Sequence, residues 1–430
     1  MHEVERQIRR NLMLFVPGKI AAVLGSSIYG FAVGLYILAE TGSSLNFAIT
    51  ILMSTLPRLF LGPIAGAAAD RWDRKKIIIF TDFACAAWLA IVLLLYVNVT
   101  QSLWLLYAAA AVLTSLNTFY STAVTSTIYN MVGPDHLQKA LSLNQAAASL
   151  SSILGPVLGG ALFGILSIHY FMGITIITFT LSGIVSTMIN YNLFSKKPDY
   201  LPPSSLLEDF KEGFKYVSSQ PFIRQLIFIA VWLNFWFAIF PIALPNSILI
   251  ARSMEPLHLG IVEGAFSIGM MVMAIVLSIR KEIRKKELAI TGGMLGLSLS
   301  LVLLGMPNSP IAAEMTNGFA FPYFIAIAFF ISSLIMIINM PIMLLIQKIT
   351  PDKFRGRVLS LLETGCGAMV PIGTILFGVL LDRYPVWILL SICGSSVFLL
   401  TAYHIWNRTF IRHIREAEQA EMPVSETIGS

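Results

Sequence analysis

Long apolar runs separated by short polar breaks follow one another along the whole sequence. Each run approaches the roughly 20 residues that an α-helix needs to cross the hydrocarbon core of a bilayer. The runs cover residues 14–38, 44–69, 77–97, 103–128, 138–164, 169–192, 223–250, 256–279, 287–305, 319–347, 355–381 and 386–408. The pattern therefore predicts an all-α membrane protein with twelve transmembrane helices.

Composition supports the membrane assignment. Hydrophobic residues make up 56% of the 430 residues and charged residues only 12%, about half the share typical of a soluble domain. The first run is longer than the core of a signal peptide, so we expect it to be a retained helix. Cys85, Cys366 and Cys393 lie inside apolar runs without disulfide or metal spacing, and we interpret them as packing residues.

The basic residues predict an orientation. Of the 29 Lys and Arg residues, only Arg252 and Arg383 fall on one set of alternate connections, and Lys19 and Arg58 lie farther inside spans. The other 25 lie in the opposite connections, in the tails or in the first or last three residues of an adjoining span. By the positive-inside rule, both termini of this multi-pass protein of the cell membrane are expected to be cytoplasmic. The net charge of +6 then reflects topology and attraction to anionic membrane lipid, and indicates no nucleic-acid partner.

The longest inner connection divides the chain. It covers residues 193–222 and separates two sets of six spans, which predicts an N-terminal half at 1–192, a C-terminal half at 223–408 and a cytoplasmic tail at 409–430. Within the connection, SSLLEDFKEGFKYV predicts an amphipathic helix on the inner membrane surface, with Ser205 and Glu208 as a capping box. The end of the tail is polar, and we expect it to be disordered.

An internal repeat supports this division. The stretch GPDHLQKALSL, from Gly133, resembles TPDKFRGRVLSL, from Thr350, so that span five corresponds to span eleven. Two six-helix halves repeated in parallel are a recurring architecture of secondary transporters.

The charged stretch between spans two and three resembles the signature loop of the major facilitator superfamily. The residues that carry this resemblance are Gly66, Asp70, Arg71, Arg74 and Lys75. In span five, a second set resembles the Gly-Pro motif of export-type members, and it comprises Gly155, Pro156, Gly159 and Gly160. Asp73, where the family consensus has glycine, makes the loop similar to that of the macrolide-efflux and siderophore-exporter branch. The resemblance implies the major facilitator fold over nearly the whole chain.

Two features depart from the family pattern. Span four lacks the embedded arginine of many drug/proton antiporters, so that residue's role in proton relay cannot be transferred. In the second half, the stretch SIRKEIRKKE has Ile279 about where Asp70 would fall, so only the first loop is complete.

The resemblance also implies roles for the loop and for the small residues near it. Asp70 would lie against the N-terminus of span eleven, near Phe354 and Arg355, and latch the two halves on the inner side, because a helix N-terminus favours an anion. The alternative is a merely solvated loop acid, with the basic residues serving topology alone. Gly62 and Gly66, like the glycines of span five, would let helices approach closely, either to slide or simply to pack.

Family architecture places spans one, four, seven and ten around a substrate cavity. The candidate lining residues are Tyr29, Tyr36, Asn117, Tyr120, Trp232, Asn234, Trp236 and Asn339. They would form a wide, aromatic and weakly polar pocket, suited to a hydrophobic or amphipathic solute. The alternative is that these aromatic side chains face lipid or neighbouring helices.

Charges inside spans are costly and therefore informative. Arg58, Glu263 and Glu363 are the candidate intramembrane charges, and burial of the two acids would favour the protonated form. We consider that Arg58 and Glu363 pair between spans two and eleven; alternatively each is satisfied within its own half and Glu263 carries the proton. Lys19 and Asp82 are expected near the inner surface, where they can snorkel or bond loops.

These features predict a secondary transporter that works by alternating access and exports a hydrophobic or amphipathic small molecule in exchange for protons. The proton gradient would supply the energy, with no cofactor and no metal, and we expect a monomer. The sequence offers no catalytic triad or nucleotide-binding loop, which argues against an enzyme. Two alternatives stay open: an importer or flippase of a lipid-like or nutrient solute, and a transport-inactive sensor or scaffold.

Overall fold

A computed structural model describes residues 2–194, 206–279 and 285–406 of the chain. In these ranges the regular elements are helical, and twelve helices are long and apolar enough to cross a membrane. The twelve predicted spans and the all-α fold class are therefore confirmed. The sequence of the tail, 409–430, lies outside the described residues.

The first six long helices precede the connection at 193–222. They are α1 (His2–Thr41), α2 (Ser44–Arg71), α3 (Arg74–Asn98), α4 (Leu103–Val132), α5 (Leu137–Phe163) and α6 (Ile168–Met188). Ser43, Asp73 and Ser102 cap α2, α3 and α4, because their side-chain oxygens accept hydrogen bonds from backbone N–H groups of the first turn.

Eight further helices follow. They are α7 (Leu206–Ser219), α8 (Pro221–Phe237), α9 (Phe240–Pro245), α10 (Pro256–Ile279), α11 (Lys286–Gly305), α12 (Asn317–Ile349), α13 (Asp352–Leu381) and α14 (Val386–Trp406). A π-helical turn at Asn246–Ala251 and two 3-10 turns, at Met306–Asn308 and Pro310–Ala312, complete the described helical elements.

Internal contacts group the chain into two compact units. The first comprises Met1–Tyr200 with Ile248–Gly264, and the second comprises Leu201–Ser247 with Ala265–Ser430. The start of α10 thus belongs to the first unit, whereas the sequence assigns all of span eight to the C-terminal half. The predicted division of the chain into an N-terminal half at 1–192 and a C-terminal half at 223–408 stays a prediction.

In the first unit, α1 packs against α5 and α6, α2 packs against α4, and α3 lies against α4 and α6. Large apolar side chains such as Phe171, Phe179 and Leu35 are fully buried between these helices. In the second unit, α11 packs against α12 and α14, and α13 packs against α8.

Span seven is not one continuous helix. Its 31 residues comprise α8, a two-residue turn at 238–239, the short helix α9 and the π-helical turn, with Pro241 at the start of α9 and Pro245 at its end. Proline lacks the N–H that a helix interior needs, which explains the interruption. These two prolines therefore loosen span seven. Pro17, Pro57, Pro156, Pro341 and Pro371, by contrast, lie inside uninterrupted helices.

The predicted helix in the connection is confirmed as α7, and it packs against the start of α13. The Arg357 guanidinium donates to Oε2 of Glu212 over 2.6 Å, and the rings of Tyr216 and Phe354 stack with centroids 4.4 Å apart. Partial burial at this contact raises the pKa of the Tyr216 hydroxyl. One face of α7 therefore packs against α13.

The apolar face predicted for α7 is divided in the structure. Val217 is buried, whereas Phe214 is 61% exposed, so its ring is accessible to membrane lipid. Ser205, the predicted capping residue, lies outside the described residues. The position of α7 on the membrane surface stays a prediction.

Candidate functional site

The charged segment between α2 and α3 is a tight connection. Only Trp72 and Asp73 separate the two helices, and Asp73 Oδ1 accepts hydrogen bonds from the backbone N–H groups of Lys75 (2.9 Å) and Lys76 (3.3 Å). An aspartate at this position therefore has a structural use, since it caps α3 where glycine would leave these donors without a side-chain partner.

The basic residues of this segment bind backbone carbonyls of neighbouring helices. Arg74 donates from Nε to the Ala69 carbonyl and from a terminal guanidinium nitrogen to the Ser126 carbonyl of α4, both over 2.8 Å. Lys75 Nζ donates to the carbonyls of Thr187 and Ile189 at the end of α6, both over 2.9 Å. These cations do more than set topology, because they fasten the α2–α3 connection to α4 and α6.

Asp70 itself is largely open to solvent. Its side chain is 77% exposed, and its carboxylate lies 3.6 Å from the Arg74 guanidinium, one turn further along the chain. An exposed pair of this kind contributes little to folding. The latch role of Asp70 stays a prediction.

The glycines of α5 lie where other backbones come close. A methyl group at Gly155 would collide with the Ser27 side chain of α1, and one at Gly160 would lie 2.6 Å from the Pro256 carbonyl oxygen at the start of α10. Gly260 of α10 likewise faces the carbonyl of Pro156. The predicted close approach is thus confirmed for span five, on two sides of α5.

The glycines of α2 behave differently. A methyl group at Gly62 or Gly66 would have no described neighbouring atom within 4 Å. The prediction that these two glycines themselves permit close helix packing is therefore wrong for this conformation; on this part of α2 the buried small residues are Ala65, Ala68 and Ala69.

The first unit contains an open cavity of about 400 Å³ between α1, α2 and α4. Three of the predicted residues line it: Tyr29, Asn117 and Tyr120. Tyr36 does not, and it instead accepts a 2.7 Å hydrogen bond from the Tyr96 hydroxyl.

Much of the cavity wall is hydroxylated, which the sequence analysis missed. The Ser and Thr residues that line the cavity are Ser26, Ser27, Thr50, Ser54, Thr114, Thr118 and Ser121. Asn117 donates to the Ser26 hydroxyl across α1 and α4 over 3.3 Å. Small polar residues at helical spacing on three spans were the available signal, but each one separately is common in a membrane helix.

Two charged residues expected near the inner surface lie in the interior of the first unit. Lys19 is 8% exposed, lines the cavity and has its Nζ 4.9 Å from the centroid of the Tyr120 ring. Asp82 is 1% exposed, accepts hydrogen bonds from Ser182 (2.8 Å) and Ser186 (3.4 Å), and interacts electrostatically with Lys19. The expectation that they snorkel is wrong, because each has partners inside the helix bundle.

The candidate residues of α8 form an aromatic cluster in the second unit. Trp232 and Trp236 stack with centroids 6.5 Å apart, and Trp236 contacts Phe377 of α13 at 6.2 Å. Asn234 donates to the Ala230 carbonyl of its own helix, and Asn339 is exposed. The alternative interpretation, packing on a neighbouring helix, therefore describes Trp236, whereas the ring contacts of Trp232 lie within α8.

The three candidate intramembrane charges differ in their surroundings. Arg58 lines the cavity of the first unit, Glu263 is half-buried at the start of α10, and Glu363 is exposed. The prediction that both acids are buried is therefore wrong for Glu363. Pairing of Arg58 with Glu363 stays a prediction.

Comparison with known proteins gives concordant matches. The sequence pattern of the Major Facilitator Superfamily matches residues 15–374. Macrolide efflux protein A of Streptococcus pyogenes is 24% identical over 87% of this chain and 90% of its own length. The multidrug efflux pump Tap of Mycolicibacterium fortuitum is 24% identical over 96% and 99%. A crystal structure of the peptide transporter POT with alafosfalin covers 93% of this chain and 96% of its own, with a TM-score of 0.67 at 14% identity. Fold, signature segment and sequence match agree, and the chain belongs to the major facilitator superfamily.

Proposed function

We propose that this multi-pass membrane transporter exports an amphipathic small molecule in exchange for protons by alternating access. The observation that carries the proposal is the cavity of about 400 Å³ between α1, α2 and α4, which has the size of a small-molecule site. Its wall combines aromatic rings with hydroxyl and amide groups, as an amphipathic solute requires. The relatives described above are named as macrolide and multidrug efflux proteins, which supports the outward direction.

Glu263 is the acid that we propose to carry the proton. It precedes Gly264, at the part of α10 that packs against Val157 and Ile153 of α5. It has no hydrogen-bond or ion-pair partner among the described residues, and a carboxylate without a partner at membrane depth is stabilised by protonation. Taking up or releasing a proton there would change the charge beside the closely packed α5–α10 contact.

Transport in proteoliposomes tests the function. We expect purified protein to move at least one solute of a panel that includes dansylglycine, erythromycin and ethidium against its gradient when a pH gradient is imposed, and only to exchange it when the gradient is collapsed. A counterflow rate that does not change when a pH gradient is imposed would favour a facilitator or flippase. Absence of both activities with every solute would favour a sensor or scaffold.

The Glu263→Gln variant separates coupling from binding. We expect it to retain counterflow and to lose transport driven by the pH gradient, because the amide cannot take up a proton. Glu314→Gln removes an exposed acid between α11 and α12 and serves as the control. Gradient-driven transport by Glu263→Gln at the unsubstituted rate would place the proton on another acid, with Asp82 and Glu363 the next to replace.

The proposed orientation can be tested with single cysteines in a background that lacks Cys85, Cys366 and Cys393. We expect Ser425→Cys to react with a membrane-impermeant maleimide only after cells are opened, and Ile311→Cys to react in intact cells. Ile311 is preferable to its neighbour Ser309, because it is exposed whereas Ser309 is buried. Labelling of Ser425→Cys in intact cells would reverse the assignment.

A further inference from the structure

The cavity of the first unit carries positive charge. Lys19 and Arg58 both line it, and none of the described residues of its wall is acidic. The remaining polar groups of the wall are hydroxyls and one amide. A charge inside a membrane span is costly unless it is paired or hydrated, so two cations in one cavity wall indicate an anionic ligand or water as their partner.

The two cations are not equivalent. Lys19 already has partners, since its ammonium group faces the Tyr120 ring and interacts with the buried carboxylate of Asp82. Arg58 is exposed to the cavity and forms no hydrogen bond or ion pair with another described residue. Its guanidinium is therefore the cation that is available to a ligand.

A second donor belongs to the same wall. The hydroxyl of Tyr29 is buried, and no described residue is its hydrogen-bond partner. A buried polar group of this kind is normally satisfied, so an unpartnered hydroxyl in a cavity wall indicates a partner supplied by a ligand or by water. Arg58 and Tyr29 together offer an acceptor-rich group both a charge and a hydrogen bond.

We propose that this cavity recognises an amphipathic carboxylic acid, with the carboxylate bound by Arg58 and its apolar part against the remaining wall. This proposal rests on the proposed function and specifies its substrate class. A planar guanidinium matches a carboxylate because two parallel N–H···O bonds can form. Tyr29 is a positioning residue that adds a third donor, and Lys19 contributes its field.

A matched series of fluorescent ligands tests the charge preference. Dansylglycine carries a carboxylate, dansylglycinamide is its neutral counterpart, and dansylcadaverine is cationic. We expect the full-length protein in lipid nanodiscs to bind dansylglycine at least about tenfold more tightly than dansylglycinamide, since a charge-assisted bond is worth that factor or more, and to bind dansylcadaverine most weakly. Equal affinity for the acid and the amide would overturn the proposal.

Substitutions test which residue produces the preference for dansylglycine over dansylglycinamide. Arg58→Gln should remove most of the preference for the acid, leaving only the part that the field of Lys19 supplies, and Arg58→Lys should restore part of the loss. Arg224→Gln removes an exposed arginine at the start of α8 and should leave the preference intact. A preference of undiminished size in folded Arg58→Gln would show that Arg58 is not the receptor. If that variant does not fold, Tyr29→Phe replaces it, and it should weaken dansylglycine binding severalfold while leaving dansylglycinamide binding unchanged. An unchanged dansylglycine affinity in Tyr29→Phe would overturn the arrangement.

Failure of this proposal can be told apart from failure of the proposed function. Transport of ethidium driven by a pH gradient, without any preference for dansylglycine, would leave export standing and reject the acid. Binding of dansylglycine that depends on Arg58, without transport of any solute, would establish the site and reject export.

Discussion

The Gly160→Ala variant should lose most of its transport activity and unfold at a clearly lower temperature than the unsubstituted protein. The added methyl group would lie 2.6 Å from the carbonyl oxygen of Pro256, 3.1 Å from its carbonyl carbon and 3.2 Å from Cα of Leu257. All three are backbone atoms, so no side-chain rotation relieves the contact, and α5 must move away from the start of α10. Overpacking of this kind costs about 1–3 kcal/mol. Thermal unfolding of detergent-purified protein and proteoliposome transport measure the two effects.

Two matched substitutions show whether the effect is specific. Gly159→Ala should be milder, because its methyl group meets the Phe31 ring of α1, which can shift. Gly62→Ala adds the same methyl group where no described neighbouring atom lies within 4 Å, and it should behave like the unsubstituted protein. If Gly160→Ala and Gly62→Ala unfold at the same temperature and transport equally well, the close α5–α10 contact is not needed.

The fold was largely predictable because the bilayer constrains it so strongly. A chain that crosses a membrane must satisfy its backbone within helices, and the length of each apolar run follows from the thickness of the hydrocarbon core. The ends of the helices were less predictable. Helix α1 begins at His2 rather than near residue 14, since helical geometry continues through the polar HEVERQIRR stretch outside the apolar run. Hydropathy identifies the part of a helix that lies within the lipid, but it does not show how far the helix continues beyond the lipid.

The candidate site was only partly predictable, because its chemistry depends on pairs of residues. Family architecture together with position along the helix predicts Tyr29, Asn117 and Tyr120 on the cavity wall, where they lie. The same reasoning failed for Tyr36, whose hydroxyl instead accepts a hydrogen bond from the Tyr96 hydroxyl. Lys19 of α1 interacts electrostatically with Asp82 of α3, and Asp82 accepts a hydrogen bond from Ser182 of α6; these partners depend on how three helices pack and have no signature in the sequence.

The Arg74→Ala variant should be strongly destabilised, although the residue lies in a charged segment at the end of a span. The Arg74 side chain is only 29% exposed, and it makes 2.8 Å hydrogen bonds to carbonyls of Ala69 and Ser126. Removal of a charged donor from buried or partly buried acceptors costs about 1.5–3 kcal/mol. Thermal unfolding should therefore shift to a lower temperature. Arg71→Ala removes an exposed cation from the same segment and should change stability by less than about 0.5 kcal/mol.

The Asp70→Asn variant separates this structural role from the predicted latch. In the unsubstituted protein the Asp70 carboxylate is 77% exposed and lies 3.6 Å from the Arg74 guanidinium. Loss of its charge should therefore alter the free energy of unfolding by about 0–1 kcal/mol. If Asp70 also binds the N-terminus of span eleven during the transport cycle, transport should fall while expression and unfolding temperature stay the same, because the helix dipole favours an anion there. Stability and transport must be measured on the same preparation. Efflux by Asp70→Asn at the unsubstituted rate would show that Asp70 is a solvated acid, and that the segment serves mainly to hold α4 and α6 through Arg74 and Lys75.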